Sequence, residues 1–110
     1  MMSPLWWRRW KARILPPRQL EVIDGDSLPA SLPRRNVVLA RDEDGDWCVG
    51  MRCPCGCAQT IELMLIREVK PRWDLSVDDK GRPSLNPSVW RQKGCGSHFW
   101  LRHGRIQWCD

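Results

Sequence analysis

Three thiols crowd into five residues at "CPCGC", as Cys53, Cys55 and Cys57. Core packing does not call for that density, whereas metal binding does. A tetrahedral zinc ion takes four nitrogen or sulfur donors. Pro54 and Gly56 let the loop bend around an ion and present two or three of them. A second loop, "KGCGSH" at Lys93–His98, offers Cys95 and His98 at i and i+3. Cys109 can join if the strand pairing described below brings it close. The resulting pattern is C-x-C-x-C … C-x-x-H … C, and the expected ion is one zinc. An iron–sulfur cluster is the competing reading, although the spacing fits no common ferredoxin run. Free or redox-active thiols are the third. With five thiols and an imidazole to choose from, a filled structural site is expected rather than an open catalytic one. Cys48, beside Trp47 in an apolar run, reads as a small buried residue.

The chain has two histidines. His103 precedes Gly104 and reads as a solvated turn residue. His98 has three readings: zinc ligand, packed core group, or general base. As a base it needs a nucleophile in reach. Ser97 is its neighbour, but adjacent strand residues point to opposite faces, so that pair is poorly placed unless the loop bends. Ser88, in "NPSVW", lies on the preceding strand, and Val89–Gly96 turns the chain back, so Ser88 and His98 could meet. The plain alternative for Ser88 is an ordinary turn or edge-strand hydroxyl. Asp74 or Glu62 could orient the imidazole, although each also reads as a solvated strand residue. Backbone N–H groups around "GCGS" are candidates for stabilising an oxyanion. Hydrolysis by an open zinc site is the other chemical option.

These groups need a scaffold, and the pattern after Pro17 is that of strands. "QLEVI" and "NVVLA" are short apolar segments, joined through the proline-punctuated "LPASLPRR". "RDEDGD" predicts a hairpin turn near Asp44-Gly45, leading into "DWCVGMRC". "TIELMLI" predicts a strand over Thr60–Ile66, and "RWDLSV" alternates with Trp73, Leu75 and Val77 on one face. "SLNPSVW" predicts an edge strand over Ser84–Trp90, because Pro87 removes a ladder donor. The last hairpin is the clearest. "SHFWLR" and "RIQWC" flank His103-Gly104, so Arg102 should pair with Arg105, Leu101 with Ile106 and Phe99 with Trp108. His98 and Cys109 would then lie together on the opposite face.

A chain of 110 residues is one domain, and so small a core benefits from a staple. Residues 1–20 hold five basic groups and no acid, which leaves thirteen basic against thirteen acidic groups in residues 21–110. The domain is neutral and its head is basic, so a nucleic-acid partner is disfavoured and could be argued only from the head. We expect an N-terminal arm over residues 1–18, with Trp6, Trp7 and Trp10 among arginines and Pro16-Pro17 ending it, followed by a zinc-binding domain over 19–110. The arm reads as a short amphipathic helix packing its tryptophans on the domain or a partner; a membrane-surface segment and a nucleic-acid arm are the alternatives. No apolar run reaches 18 residues, so no transmembrane span is expected. The N-terminus lacks the pattern of a secretory signal, and a cytoplasmic, reducing location is expected, where six cysteines favour metal over disulfides.

Several motifs together resemble a small bacterial family of formerly unknown function. They are "CPCGC", "IEL", "RWDLSVDDKGRPSLNPSVW" and "GCGSHFWLRHGRIQWC", in order from about Asp46 to Cys109, and the upstream "VIDGDSLPASLPRR" is similar to that family's N-terminal part. Ala58 stands where the family has a glycine, and Ser84 where it has a threonine; neither is a candidate ligand or nucleophile. Members of the family are encoded beside ubiquitin-like proteins and their activating and conjugating enzymes, in bacterial defence-type operons. The resemblance implies a peptidase that processes or removes a ubiquitin-like protein. It implies a zinc pool of Cys53, Cys55, Cys57, Cys95 and Cys109, and polar candidates Ser88, Ser97 and His98.

The expected fold is therefore mostly β: a small zinc-stapled antiparallel sheet or barrel-like domain of about six short strands. The expected function is a serine-type peptidase acting on a tail or isopeptide bond of a ubiquitin-like protein, with Ser88 as nucleophile and His98 as base. The alternative is a non-catalytic zinc module that docks the conjugation enzymes. It requires His98 among the metal ligands and no cleft beside Ser88.

Overall fold

The computed structural model describes residues 15–92 and 94–109. The N-terminal arm expected over 1–18 lies outside the described residues as far as residue 14. Among the described residues the regular structure is nine strands: β1 Leu20–Asp24, β2 Val37–Asp42, β3 Gly45–Arg52, β4 Thr60–Met64, β5 Asp74–Val77, β6 Pro83–Asn86, β7 Val89–Trp90, β8 His98–Arg102 and β9 Arg105–Trp108. They form three sheets, ordered β1-β2-β3-β4, β5-β6 and β7-β8-β9. Among the described residues no helix is long and apolar enough to cross a membrane.

The mostly β expectation holds, with nine short strands in three sheets where about six strands were expected, and two features of the pairing differ. First, β1 and β2 run parallel, with Leu20 opposite Val37 and Val22 opposite Leu39. A tight hairpin can only make an antiparallel pair; a parallel return needs a long crossover. The proline-punctuated segment 25–36 is that crossover. It also roofs the sheet. Val37, Val38, Leu39 and Ala40 are all at most 2% exposed, so β2 is covered on both faces. Val37 and Leu39 join the main core, while a Cβ at Gly50, opposite Val38, would meet Leu28 and Leu32 of the crossover.

Second, the single edge strand expected over Ser84–Trp90 is two strands in two sheets. β6 pairs with β5, and β7 pairs with β8. Pro87 separates them, where its missing N–H would break any continuous ladder. Ser88 therefore sits at the junction of two sheets. The C-terminal hairpin has the expected register: Phe99 opposite Trp108, Leu101 opposite Ile106, Arg102 opposite Arg105. His103 and Gly104 have φ of 50° and 76°, the two positive values that a primed two-residue turn requires.

One core unites the sheets. Val37, Leu39, Val49 and Met51 meet Leu85, Val89, Phe99, Leu101 and Ile106 within a single buried cluster. Phe99 is fully buried, and the Trp108 ring meets it edge-on at 5.8 Å. β8 thus buries Phe99 and Leu101 on one face and turns His98, Trp100 and Arg102 to the other.

Gly104 locks this hairpin to the start of the chain. Its carbonyl accepts from Arg18 N–H at 2.7 Å, and its N–H donates to Pro83 O at 2.8 Å. A Cβ there would collide with the Arg18 backbone, at a φ that L residues rarely adopt. Gly104→Ala is expected to destabilise the domain by about 2–3 kcal/mol, read as a lower denaturant midpoint with an unchanged slope. A shift below about 0.5 kcal/mol would show that Arg18 does not hold this turn.

Candidate functional site

The loop between β3 and β4 is the cysteine loop. Cys53 N–H donates to Gln59 O at 2.8 Å and closes it, and Gly56 N–H reaches back to Cys53 O at 3.3 Å. Gly56 and Ala58 have φ of 90° and 66°, which curl residues 53–59 so that alternate thiols point inward. Ala58 adopts, as a non-glycine, the left-handed conformation that a glycine would take more readily. Cys95 arrives from the β7–β8 loop. The four Sγ atoms of Cys53, Cys55, Cys57 and Cys95 all lie within 4.8 Å of one another. Cys53 Sγ is 3.4 Å from Cys55 Sγ and 3.5 Å from Cys95 Sγ.

This set fits a metal ion. Four thiolates about 2.3 Å from a tetrahedral zinc stand about 3.8 Å apart, between the 3.4 Å contact and the 4.8 Å bound of the separations here. Burial pushes the Cys53 and Cys55 thiols up, so each favours its protonated form without a cation to compensate. At Cys95 burial acts in the same direction but is outweighed. Hydrogen bonds from the Ser97 hydroxyl and N–H, then from Cys53 and Cys55, bring its thiol down to about 6. Cys109 is not among the four. It faces His98 across the hairpin, its N–H donating to His98 O at 2.8 Å. Cys48 is 1% exposed, and burial followed by the neighbouring Glu62 carboxylate pushes its thiol up to about 11.

Ser97 is 2% exposed and its Oγ lies 3.0 Å from Cys95 Sγ. It belongs to the thiol cluster, and strand alternation turns it away from the His98 ring. The partner of that ring is Ser88, whose Oγ is 2.8 Å from His98 Nε2. The pairing of Trp90 with His98 explains the approach. Arg91 N–H donates to Ser97 O at 2.7 Å, so Arg91 and Ser97 form a hydrogen-bonded pair. By the antiparallel alternation, Trp90 and His98 are then a non-hydrogen-bonded pair, with side chains close together. Their rings stack at 5.1 Å and 17°. Ser88, two residues before Trp90, is the diagonal neighbour of His98 on the same face. Trp73 Nε1–H donates to Ser88 O at 3.3 Å and fixes the serine backbone.

Neither carboxylate considered from the sequence reaches the ring. Asp74 Oδ1 accepts from Arg72 at 2.7 Å, and Glu62 lies beside Cys48. The "GCGS" loop is also committed. Gly94 and Gly96 N–H groups both donate to Arg91 O, at 3.2 and 3.0 Å, and Ser97 N–H supports Cys95. These three amides are engaged within the β7–β8 loop itself. His103 is exposed as expected, with Nδ1 3.0 Å from Asp78 Oδ2. Trp90 and Arg91 escaped the sequence reading. Extending the hairpin register one strand back from His98 would have placed Trp90 opposite it.

The two constellations share one connection. Residues 91–97 join β7 to β8 and carry Cys95; His98 opens the strand that follows them, and Ser88 precedes the two-residue strand before them. Arg91 Nη2 further ties this loop to Gln59 Oε1 of the cysteine loop at 2.9 Å.

Fold and site together define a class: a small strand-built domain in which a four-thiol cluster and a serine–histidine pair are linked through the β7–β8 loop. Residues 25–109 match the family model described as bacterial ubiquitination-like system serine protease (BubE), and the chain belongs to that family. No curated protein and no solved structure matches it.

Proposed function

We propose that the protein is a serine-type peptidase that processes or deconjugates a ubiquitin-like protein, with Ser88 as nucleophile and His98 as general base. The 2.8 Å contact between Ser88 Oγ and His98 Nε2 carries this reading. The family description, a serine protease of a ubiquitination-like system, supports it independently. The scissile amide is the bond joining the C-terminal tail of the ubiquitin-like protein to a peptide extension or to a target amine.

With its proton on Nδ1, His98 accepts the Ser88 proton at Nε2 as Oγ attacks the scissile carbonyl. The imidazolium then returns that proton to the leaving amine, and the acyl group stays on Ser88. Water, deprotonated by the same nitrogen, releases the acid and restores Ser88. Stacked Trp90 holds the ring plane that a carboxylate orients in other hydrolases. Cys53, Cys55, Cys57 and Cys95 would hold one metal ion, zinc by donor type, which supplies folding energy when bound. The docking-module alternative requires His98 among the ligands, whereas four thiols suffice without it.

The test is covalent. A fluorophosphonate probe should label the full chain at one serine, and tryptic mass spectrometry should place the adduct on Ser88. Labelling should vanish in Ser88→Ala and fall at least about a hundredfold in His98→Ala. An adduct on Ser97, or equal labelling of the His98 variant, would overturn the assignment.

A further inference from the structure

A cleft of about 320 Å³ opens between the β5–β6 hairpin and the outer face of β8, its lining reaching Asn86 and Trp100, each two residues from a member of the serine–histidine pair. Leu75, Leu85 and Trp100 contribute its apolar part, and Arg102 and His103 close its far end. Asn86, two residues before Ser88, lines the near end. His98, Trp100 and Arg102 lie on one face of β8, so the cleft continues the line of the catalytic pair. The rise of about 3.3 Å per strand residue puts Trp100 roughly 7 Å and Arg102 roughly 13 Å beyond His98. An extended substrate advances at the same pace, so these positions face its second and fourth residues from the scissile bond.

The charges at the cleft are not equivalent. Asp74 is paired with Arg72 at 2.7 Å, and Asp78 with His103 at 3.0 Å. Backbone N–H of Arg82, more than the imidazole, holds the Asp78 carboxyl below its ordinary range. Arg102 lies over the Trp100 ring, 4.5 Å from its centroid, and among the described residues no carboxylate pairs with it. Its guanidinium is exposed at the end of an apolar trough, with donors free for an incoming acid.

We propose that this cleft seats an extended substrate segment that places an apolar side chain against Leu75, Leu85 and Trp100 and, two residues farther from the scissile bond, a carboxylate on Arg102. The inference rests on the reading of Ser88 and His98 as the reacting pair, because their position sets the residue count. It adds a substrate sequence preference that the pair itself does not contain.

The experiment uses binding, so it does not depend on turnover. Full-length Ser88→Ala protein is immobilised and panned against a display library of random ten-residue peptides. The expected enrichment is an apolar residue two positions from an Asp or Glu, with the acid favoured over Lys or Arg by about fivefold, the share of one rim charge pair. Arg102→Glu should reverse that choice, and Arg102→Lys should keep the acidic preference. Circular dichroism and metal content confirm that each variant is folded. Absence of any enriched pattern, or an acidic preference unchanged in Arg102→Glu, overturns the proposal. Failure of the reacting pair would appear elsewhere, as probe labelling or cleavage surviving in Ser88→Ala. The two readings therefore fall separately.

Discussion

Ser88→Ala is expected to reduce hydrolysis of a tailed ubiquitin-like substrate by at least about a thousandfold, while leaving fold and metal content unchanged. Removing the nucleophile deletes the covalent route, and what survives is binding and polarisation alone. The side chain lost is small and half-buried at the junction between β6 and β7, and it is not among the core residues, so little packing goes with it. Its hydroxyl touches His98 and no thiol. His98→Ala should match it within about tenfold, because the two groups act as a unit and their effects do not add. Metal analysis separates this from the docking-module alternative. One ion per chain should persist in both variants. Loss of the ion from His98→Ala would make His98 a ligand and remove the base from the mechanism. Substantial cleavage by Ser88→Ala would move the chemistry to another group.

The second large effect concerns the thiols. Cys95→Ser, or removal of the ion by a strong chelator, is expected to cost most of the domain's stability. Structural zinc in small domains binds with about 10–16 kcal/mol, and such domains have only about 5–15 kcal/mol of net stability. Cys53 and Cys55 are buried inside the cluster, so their loss should be at least as damaging. The readout is the melting temperature alongside metal content by mass spectrometry. Cys109→Ser and Cys48→Ser are the controls, because neither sulfur is in the four-thiol group; both should keep the ion. Hydrolysis should also fail in Cys95→Ser, although Cys95 contacts no reacting atom. The segment 91–97 sets the distance between Ser88 and His98, and Cys95 pins its middle. A metal-free Cys95→Ser protein with normal activity would show that the segment needs no pin.

These two results would divide the molecule. The hydroxyl and imidazole would govern rate without touching the ion, and the thiols would govern both because they hold the loop. That asymmetry follows from one thiol of the cluster lying in the connection between the segments that carry the reacting groups.

Much of this was legible in one dimension. Three cysteines in five residues, and a fourth in a glycine-flanked loop, are a local pattern, because donor density and loop flexibility do not depend on the rest of the chain. The hairpin register from His98 to Cys109 followed from His103-Gly104 and from the alternation of Phe99, Leu101, Ile106 and Trp108. Turn chemistry and a period of two are likewise local properties. Ser88 and His98 could be nominated because only the short return Val89–Gly96 separates them.

What the tertiary structure alone decided concerns contacts between elements. β1 joins β2 in parallel because segment 25–36 crosses over and packs Leu28 and Leu32 over Gly50 of the sheet, a packing choice that no turn motif announces. Pro87 divides one apparent strand between two sheets, since each half finds a different partner. Cys109 and Cys95 look equivalent as ligands, yet the hairpin carries Cys109 to His98 while the 91–97 loop carries Cys95 to the cluster. Alternation along the strand already set Ser97 aside as a nucleophile, but only the structure seats it against sulfur and brings Ser88 to the imidazole along the diagonal of the sheet. Residue type and spacing nominate the chemically able groups; the paths of the chain in three dimensions determine which of them meet.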